Sequence, residues 1–398
     1  MKAEKKEKYL SHLLGLTIVI SFVIPHTGTA LMLVSPILCV ILSFMSKQKG
    51  GQTYNMFVTI ALIVSLIYNL PQHISSKAIS ATLSFILFFF FFPYVKKIPL
   101  SNKYLYFTFI IIFISQLAYI LGIPWIIRFI NTYYPVSDDN FSMYQHIQST
   151  INIDNMYDFR LGGLYRNANR CAMSLTILFA AFISSNFHKP IKKNLPFLLL
   201  CSYAIFVTGS RTGFVIGSLV LFAYIFANKQ INNIWRFFVV TISIFGFIYI
   251  VSNRSDTYRS LNLSTGSAEV KFRVFEDYIK NEQDGTRFII GYTDASRFKP
   301  STPMMSYFDS DYGNIFYCYG LLYIFALVLF FCKMYRDMDY SGRIYLIPLL
   351  WITTAAMISS YRHSFLYLLL LSYIFITHRK PETASSSSII NQKTNAMG

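Results

Sequence analysis

The stretch "LLLCSYAIFVTGSRTGFVIGSLVLF", residues 198–222, holds a single charge, Arg211, between two apolar runs. A bilayer core is crossed by about 20 apolar residues in a helix, and roughly 17 suffice. With its neighbours on each side, the stretch supplies two such lengths. An arginine between them is costly unless it is paired or opens onto water. The stretch therefore reads as two spans joined by a short turn, and the question it raises is what Arg211 serves.

The rest of the chain has the same character. Of its 398 residues 54% are hydrophobic, 18% aromatic and 13% charged, and the apolar residues are spread along the whole length. That distribution excludes a soluble domain on one terminal anchor and predicts an all-α, polytopic integral membrane protein. The start, "MKAEKKEKYLSHLLGLTIVISFVIPH", has the basic head of a signal peptide without a small-residue cleavage site, so it is expected to remain as the first span.

Twelve spans are predicted, near 9–25, 28–46, 54–70, 78–95, 104–125, 167–185, 195–209, 212–228, 237–252, 313–332, 344–359 and 363–378. The runs are continuous rather than alternating, which selects helices over a membrane barrel. Residues 1–380 thus form one membrane domain, and the serine-rich 381–398 reads as a disordered cytoplasmic tail. Lys47, Lys49, Lys96, Lys97, Lys103, Lys189, Lys192, Lys193, Lys229, Arg236, Lys333, Arg336 and Arg343 all fall on alternate linkers. The positive-inside rule makes their side, and both termini, cytoplasmic. Two long extracytoplasmic loops follow, near 126–166 and 253–312. The second contains "SAEVKFRVFEDYIKN", residues 267–281, whose Val270, Val274, Phe275, Tyr278 and Ile279 suit an amphipathic helix at the interface.

Sorted by this topology, the basic residues divide into 16 Lys and 4 Arg inside against 4 Lys and 11 Arg outside. Lysine alone would satisfy a topology signal. Arginine adds a planar fork that holds phosphate through paired hydrogen bonds. Arg254, Arg259, Arg287 and Arg297 read equally as solvated loop charge. Arg160, Arg166, Arg170 and Arg211 stand at span ends, and four together at one face favour an anion site over separate snorkelling side chains. The five cysteines and seven histidines are scattered with no ligand spacing, so neither a metal nor a disulfide is expected.

Two segments carry a resemblance. "FRLGGLYRNANRCAMSLTILFAAF", residues 159–182, and "VTGSRTGFVIGSLVLF", residues 207–222, resemble the O-antigen ligase and Wzy-type polysaccharide polymerase superfamily. Arg160, Gly163, Asn167 and Asn169 match the first motif, with Ala168 where proline is commoner; Thr208, Gly209, Ser210, Arg211 and Gly213 match the second. In "FDSDYGNIFYCYGLLYIFALVLF", residues 308–330, Asp309 and Gly320 keep the family's spacing, and Asp309 stands where the ligases have histidine. That departure suits capsule or exopolysaccharide polymerases. The resemblance covers about 155–330.

It implies a bacterial inner-membrane glycosyltransferase that joins polyprenyl-diphosphate-linked oligosaccharide repeats, with no cofactor and no nucleic-acid partner. A flippase and a chain-length regulator of the same pathway are the implied protein partners. Asp309, Arg211 and Arg160 are the implied catalytic set. Arg160, Arg166, Arg170, Arg211 and Arg273 would hold the diphosphate, and Asn167, Asn169, Ser210, Asp311 and His363 would position substrate. Two alternatives stay open: a ligase that transfers finished glycan, and a lipid-linked oligosaccharide flippase or other transporter. Reporter fusions test the topology on which all of this rests. Fusions near 140 and 280 should report the outside and those near 192 and 338 the inside, and an internal 280 overturns the reading.

Overall fold

In the computed structural model the described residues are 2–23, 37–38, 40–45, 53–95, 98, 100–134, 161–165, 168–186, 191–208, 210–228, 231–238, 240–241, 245, 276, 278–280, 284–294, 311–340, 342–343, 370–371 and 373–374. Among them every regular element is helical. We number the α-helices α1 (Lys2–Val23), α2 (Thr53–Asn69), α3 (Ser76–Val95), α4 (Asn102–Ile120), α5 (Pro124–Tyr133), α6 (Ala168–Ser185), α7 (Ile191–Val207), α8 (Arg211–Ala227), α9 (Gly285–Ile290) and α10 (Asp311–Asp337).

Among the described residues three stretches are long and apolar enough to cross a membrane: Asn55–Gln72, Asn102–Ile120 and Gly313–Asp337. Ala78–Phe91, Arg170–Ser185, Asn194–Val207 and Gly213–Ala227 are shorter apolar helices. The described residues thus have the all-helical, apolar character of a membrane protein. The spans expected at 28–46, 237–252, 344–359 and 363–378 lie wholly or mostly outside the described residues, as does the tail at 381–398.

The polarity of α2 is that of a membrane helix. Met56, Ile60, Ile63, Val64 and Ile67 face outward, and Asn55, Thr59, Ser65 and Asn69 are buried. In water this arrangement would be inverted. In lipid the apolar side chains lose nothing outside, and the polar ones find partners inside. Asn55 donates to the Phe89 carbonyl at 3.3 Å, Thr59 to the Asn55 carbonyl at 2.8 Å, and Asn69 to the Ser65 carbonyl at 2.8 Å.

Two sets of helices pack around the core. One holds α2, α3, α9 and α10; the other holds α1, α4, α5, α6, α7 and α8. In the second set α1 runs parallel to α4, with Gly15 against Tyr104 at one end and the Phe22 carbonyl accepting from Tyr165 near the other. Small residues seat α8 on α6. A Cβ on Gly213 would lie 2.3 Å from that of Ala172, and one on Gly217 would lie 3.8 Å from Thr176 Oγ1. The two helices are therefore parallel and in register, a small-xxx-small contact.

The expected span 104–125 stops early. Ile123 N–H donates to the Ala118 carbonyl at 2.9 Å and Gly122 N–H to that of Tyr119 at 3.4 Å, with Gly122 at φ 62°. That is a Schellman stop, which needs a left-handed residue. Pro124 then starts α5 at once, so the region expected as a loop from 126 begins as a helix.

A second interruption falls inside α10, where Gly320 has φ 69° and ψ −174°. A Cβ there would lie 2.2 Å from the Ile289 carbonyl oxygen. Gly122 has a similar φ but nothing within 4 Å. Gly122→Ala should therefore cost only the left-handed strain, about 1–2 kcal/mol. Gly320→Ala adds a backbone clash and should lower the melting temperature of the purified protein distinctly further; equal losses would show that the α9 contact contributes nothing.

Candidate functional site

The two motif segments meet. Leu161 N–H donates to the Val207 carbonyl at 3.4 Å, which ties the chain just after Arg160 to the end of α7, four residues before Arg211. Gly163–Tyr165 forms a single 3-10 turn seated on α4. Gly163 is left-handed at φ 52°, and a Cβ on it would lie 2.4 Å from Ser115 Oγ. Leu164 N–H donates to that same Ser115 Oγ at 3.1 Å. Gln116 Nε2 completes the junction by donating to the carbonyls of Leu161 at 3.3 Å and Ala204 at 3.2 Å. One amide on α4 thus ties the first segment to the last turn of α7, just before the second.

The turn between α7 and α8 explains its own residues. Thr208 Oγ1 donates to the Ile205 carbonyl at 2.6 Å and accepts from Ser210 N–H at 3.2 Å. Ser210 caps α8, its Oγ accepting from Gly213 N–H at 3.2 Å. Side-chain caps of this kind satisfy one of the orphan donors at a helix start. Ser210 is buried in that role, and Gly213 is small because Ala172 lies against it.

In consequence α6 and α8 begin side by side, and each carries an arginine in its first turn. Arg170 is the third residue of α6 and is half-buried; Arg211 is the first residue of α8. The start of a helix has a partial positive charge and free N–H donors. A cation in that turn is unfavourable by itself, and two at adjacent parallel starts compound the cost. An anion at the mouth would reverse the sign of each contribution.

Of the other expected site residues, Arg160, Arg166, Asn167, Arg273, Asp309 and His363 lie outside the described residues. Asn169 lies in the first turn of α6 and Asp311 is the first residue of α10. Of the expected amphipathic helix at 267–281, Glu276 and 278–280 are helical, with Tyr278 buried and Ile279 exposed; the rest lies outside the description. Cys171, Cys201 and Cys318 are buried free thiols. Among the described residues no three His, Cys, Asp or Glu gather closely enough to hold a metal ion.

A second polar cluster was not anticipated. Arg287 is neither solvated nor open to a ligand, with only 7% of its surface exposed. Its guanidinium carbon lies 5.0 Å from the centre of the Tyr68 ring and 4.9 Å from that of Tyr292. Nη1 donates to Asn69 Oδ1, and Nε lies 3.7 Å from Asp284 Oδ2. Asp284 also caps α9, accepting from Thr286 N–H at 2.9 Å.

The segment after α9 then inserts at the α10 break. Tyr292 and Thr293 N–H donate to the carbonyls of Tyr317 at 2.9 Å and Cys318 at 2.6 Å. Thr293 Oγ1 lies 2.9 Å from Ser65 Oγ and accepts from Asn69 Nδ2 at 3.0 Å. Asp294 Oδ2 accepts from Ser75 N–H at 2.9 Å. Signals for this docking were present in the sequence: "DGTR" at 284–287 is a helix start, and Ser65 and Asn69 fall one turn apart in a span.

Comparison with known proteins adds no family: no family model and no curated protein matches the chain.

The docking of residues 284–294 on α2 and α10 has a direct test. Cysteines replacing Ser65 and Thr293 should form a disulfide readily while residues 284–294 are docked. Arg287→Gln removes two cation–π contacts worth about 0.5–2 kcal/mol each. It should slow that cross-link about tenfold; an unchanged rate would mean that the backbone bonds alone hold the segment.

Proposed function

We propose that the chain is a membrane glycosyltransferase that polymerises polyprenyl-diphosphate-linked oligosaccharide repeats into a surface polysaccharide of the capsule, O-antigen or exopolysaccharide kind, working at the extracytoplasmic face of the bacterial inner membrane. The observation that carries the reading is the junction of 161–165 with 207–213. It brings together, at the starts of two parallel helices, the segment that carries Arg160, Arg166 and Arg170 and the segment that carries Arg211.

In this reaction the acceptor hydroxyl oxygen forms a bond to the anomeric carbon of the lipid-linked glycan as the bond from that carbon to the diphosphate breaks. The polyprenyl diphosphate leaves with an added negative charge. Arg211, Arg160, Arg166 and Arg170 would meet that charge, with Arg273 from the longer loop, and donors fixed in advance stabilise it without reorganisation. Asp309 would take the acceptor's proton. Asn167, Asn169, Ser210, Asp311 and His363 would orient the sugars, Ser210 through its hold on the start of α8.

Three variants in a strain lacking the native gene test the assignment, read by polymer length on gels at equal protein level. Arg211→Lys should fail as Arg211→Ala does, each losing about a hundredfold or more in activity, because an ammonium lacks the paired donors of a guanidinium. Asp309→Asn should abolish polymer while His363→Ala keeps part of it. Full polymer in both Arg211 variants would remove that residue from the mechanism, and a normal Asp309→Asn with an inactive His363→Ala would move the base to His363. The null strain separates the classes: a missing polymerase leaves single lipid-linked repeats outside, a missing ligase leaves finished polymer on its carrier, and a missing flippase strands repeats inside.

A further inference from the structure

Helix α5 does not continue the span that precedes it, and its surface divides sharply. Ile130 and Tyr134 are buried, and Ile126 and Ile127 pack against the core. The Tyr134 hydroxyl donates to the Val23 carbonyl at the end of α1, and the Tyr119 hydroxyl donates to Asn131 Oδ1 at 3.4 Å. This side is fully engaged by the bundle.

The opposite side is aromatic and bare. Trp125 is 73% exposed, Phe129 53% and Tyr133 54%, at successive four-residue steps, with the Phe129 and Tyr133 rings 4.9 Å apart. Arg128 and Thr132 are exposed along one edge of the same stripe. At 3.6 residues per turn the five side chains span an arc of roughly 140°. The stripe is also continuous with another surface. Phe107, Ile110, Ile114 and Leu121 are the exposed apolar side chains of α4 and its terminal turn, and α4 is one of the three candidate membrane spans. Leu121 leads directly to Trp125.

We infer that α5 is an interfacial helix: its Trp125–Phe129–Tyr133 stripe lies in the phospholipid headgroup region at the C-terminal end of α4, and Arg128 engages a lipid phosphate. Three arguments on residue chemistry select this occupant. Tryptophan and tyrosine concentrate at the membrane–water boundary, where an apolar ring and a polar atom are both accommodated. A second copy of this stripe would offer Arg128 no carboxylate, whereas a lipid phosphate complements its charge. Finally, α5 follows the bilayer-facing side of α4 through a turn that ends the span, which leaves a ten-residue helix too short to cross again.

The test uses Trp125 as its own probe. The chain has three tryptophans, so Trp235→Phe with Trp351→Phe leaves Trp125 alone. That variant, loaded at one copy per nanodisc, is measured with lipids brominated near the headgroup or near the acyl-chain end. Headgroup-proximal bromine should quench Trp125 at least twofold more than terminal bromine. Quenching by neither places the stripe in water or against protein, and stronger quenching by terminal bromine places it deep in the core; either overturns the inference. The variant's melting temperature must match the parent's. If it does not, bromolipid quenching of Trp125→Phe alone, compared with the parent, reads the same contribution by difference. The level of position 128 is read separately by phosphorus relaxation in phosphatidylglycerol discs, with Cys332→Ser and a spin label on Arg128→Cys: broadening of the headgroup signal is expected, and its absence removes position 128 from the lipid surface.

Discussion

Hydrocarbon offers a backbone no hydrogen-bond partner, so each carbonyl and N–H that a membrane helix frees must be taken up by protein. Much of this structure follows from that constraint at one residue. Gly320 interrupts α10, and an unbroken helix would have used the Tyr317 and Cys318 carbonyls within its own ladder. Here Tyr292 and Thr293 supply the donors. The insertion requires two backbones to touch, and both sides meet that demand with glycine: a Cβ on Gly291 would lie 2.5 Å from the Cys318 carbonyl group. Thr293 has a left-handed φ of 59° at the tip of the segment. Strain of that kind costs on the order of 1–3 kcal/mol and persists only where neighbours over-determine it. The bonds to Ser65, Asn69 and Cys318 do so.

Arg287 answers a different side of the same problem. A guanidinium near lipid needs all its faces occupied, and Tyr68, Tyr292, Asn69 and Asp284 occupy them. This separates two kinds of arginine that the chain uses at its spans. Arg287 is boxed in by its partners and works as a fastener. Arg170 and Arg211 begin helices, where the backbone repels them and attracts an anion. The proposed binding role is assigned to the second placement, on the helix starts rather than on a count of charges.

Helix positions were legible from the sequence because continuous apolar runs are a strong signal. The expected 54–70, 78–95, 167–185 and 212–228 all fall within two residues of α2, α3, α6 and α8 at each end. What the runs concealed were the local rules that act inside them. Gly122 and Pro124 stop α4 within a stretch whose hydropathy never falters, and Gly320 breaks α10 for the same reason: a hydropathy count does not weigh φ. The spacing of Gly213 and Gly217 also marks the face that α8 lays on α6, although there the four-residue step could have been read. Arg287 was the hardest, because two of its four partners, Tyr68 and Asn69, come from α2, more than 200 residues away, and no local pattern encodes that pairing. The candidate site was legible as two segments of unusual composition, and their meeting through Gln116 was not.

Depth then connects the interfacial helix to the proposed chemistry. Ser115 and Gln116, which hold the junction, precede the end of α4 at Ile120 by little more than one turn, or roughly 6–7.5 Å along the axis at 1.5 Å per residue. If α5 marks the headgroup level, the junction sits just beneath it, near the edge of the hydrocarbon. A soluble nucleotide sugar would have to bring its diphosphate down out of water to reach that level. A polyprenyl diphosphate has its charge at this boundary already, with its chain in the lipid that α4 faces through Phe107, Ile110 and Ile114. At that level the diphosphate role proposed for Arg170 and Arg211 would serve a lipid-borne anion, since charges attract more strongly where water is scarce.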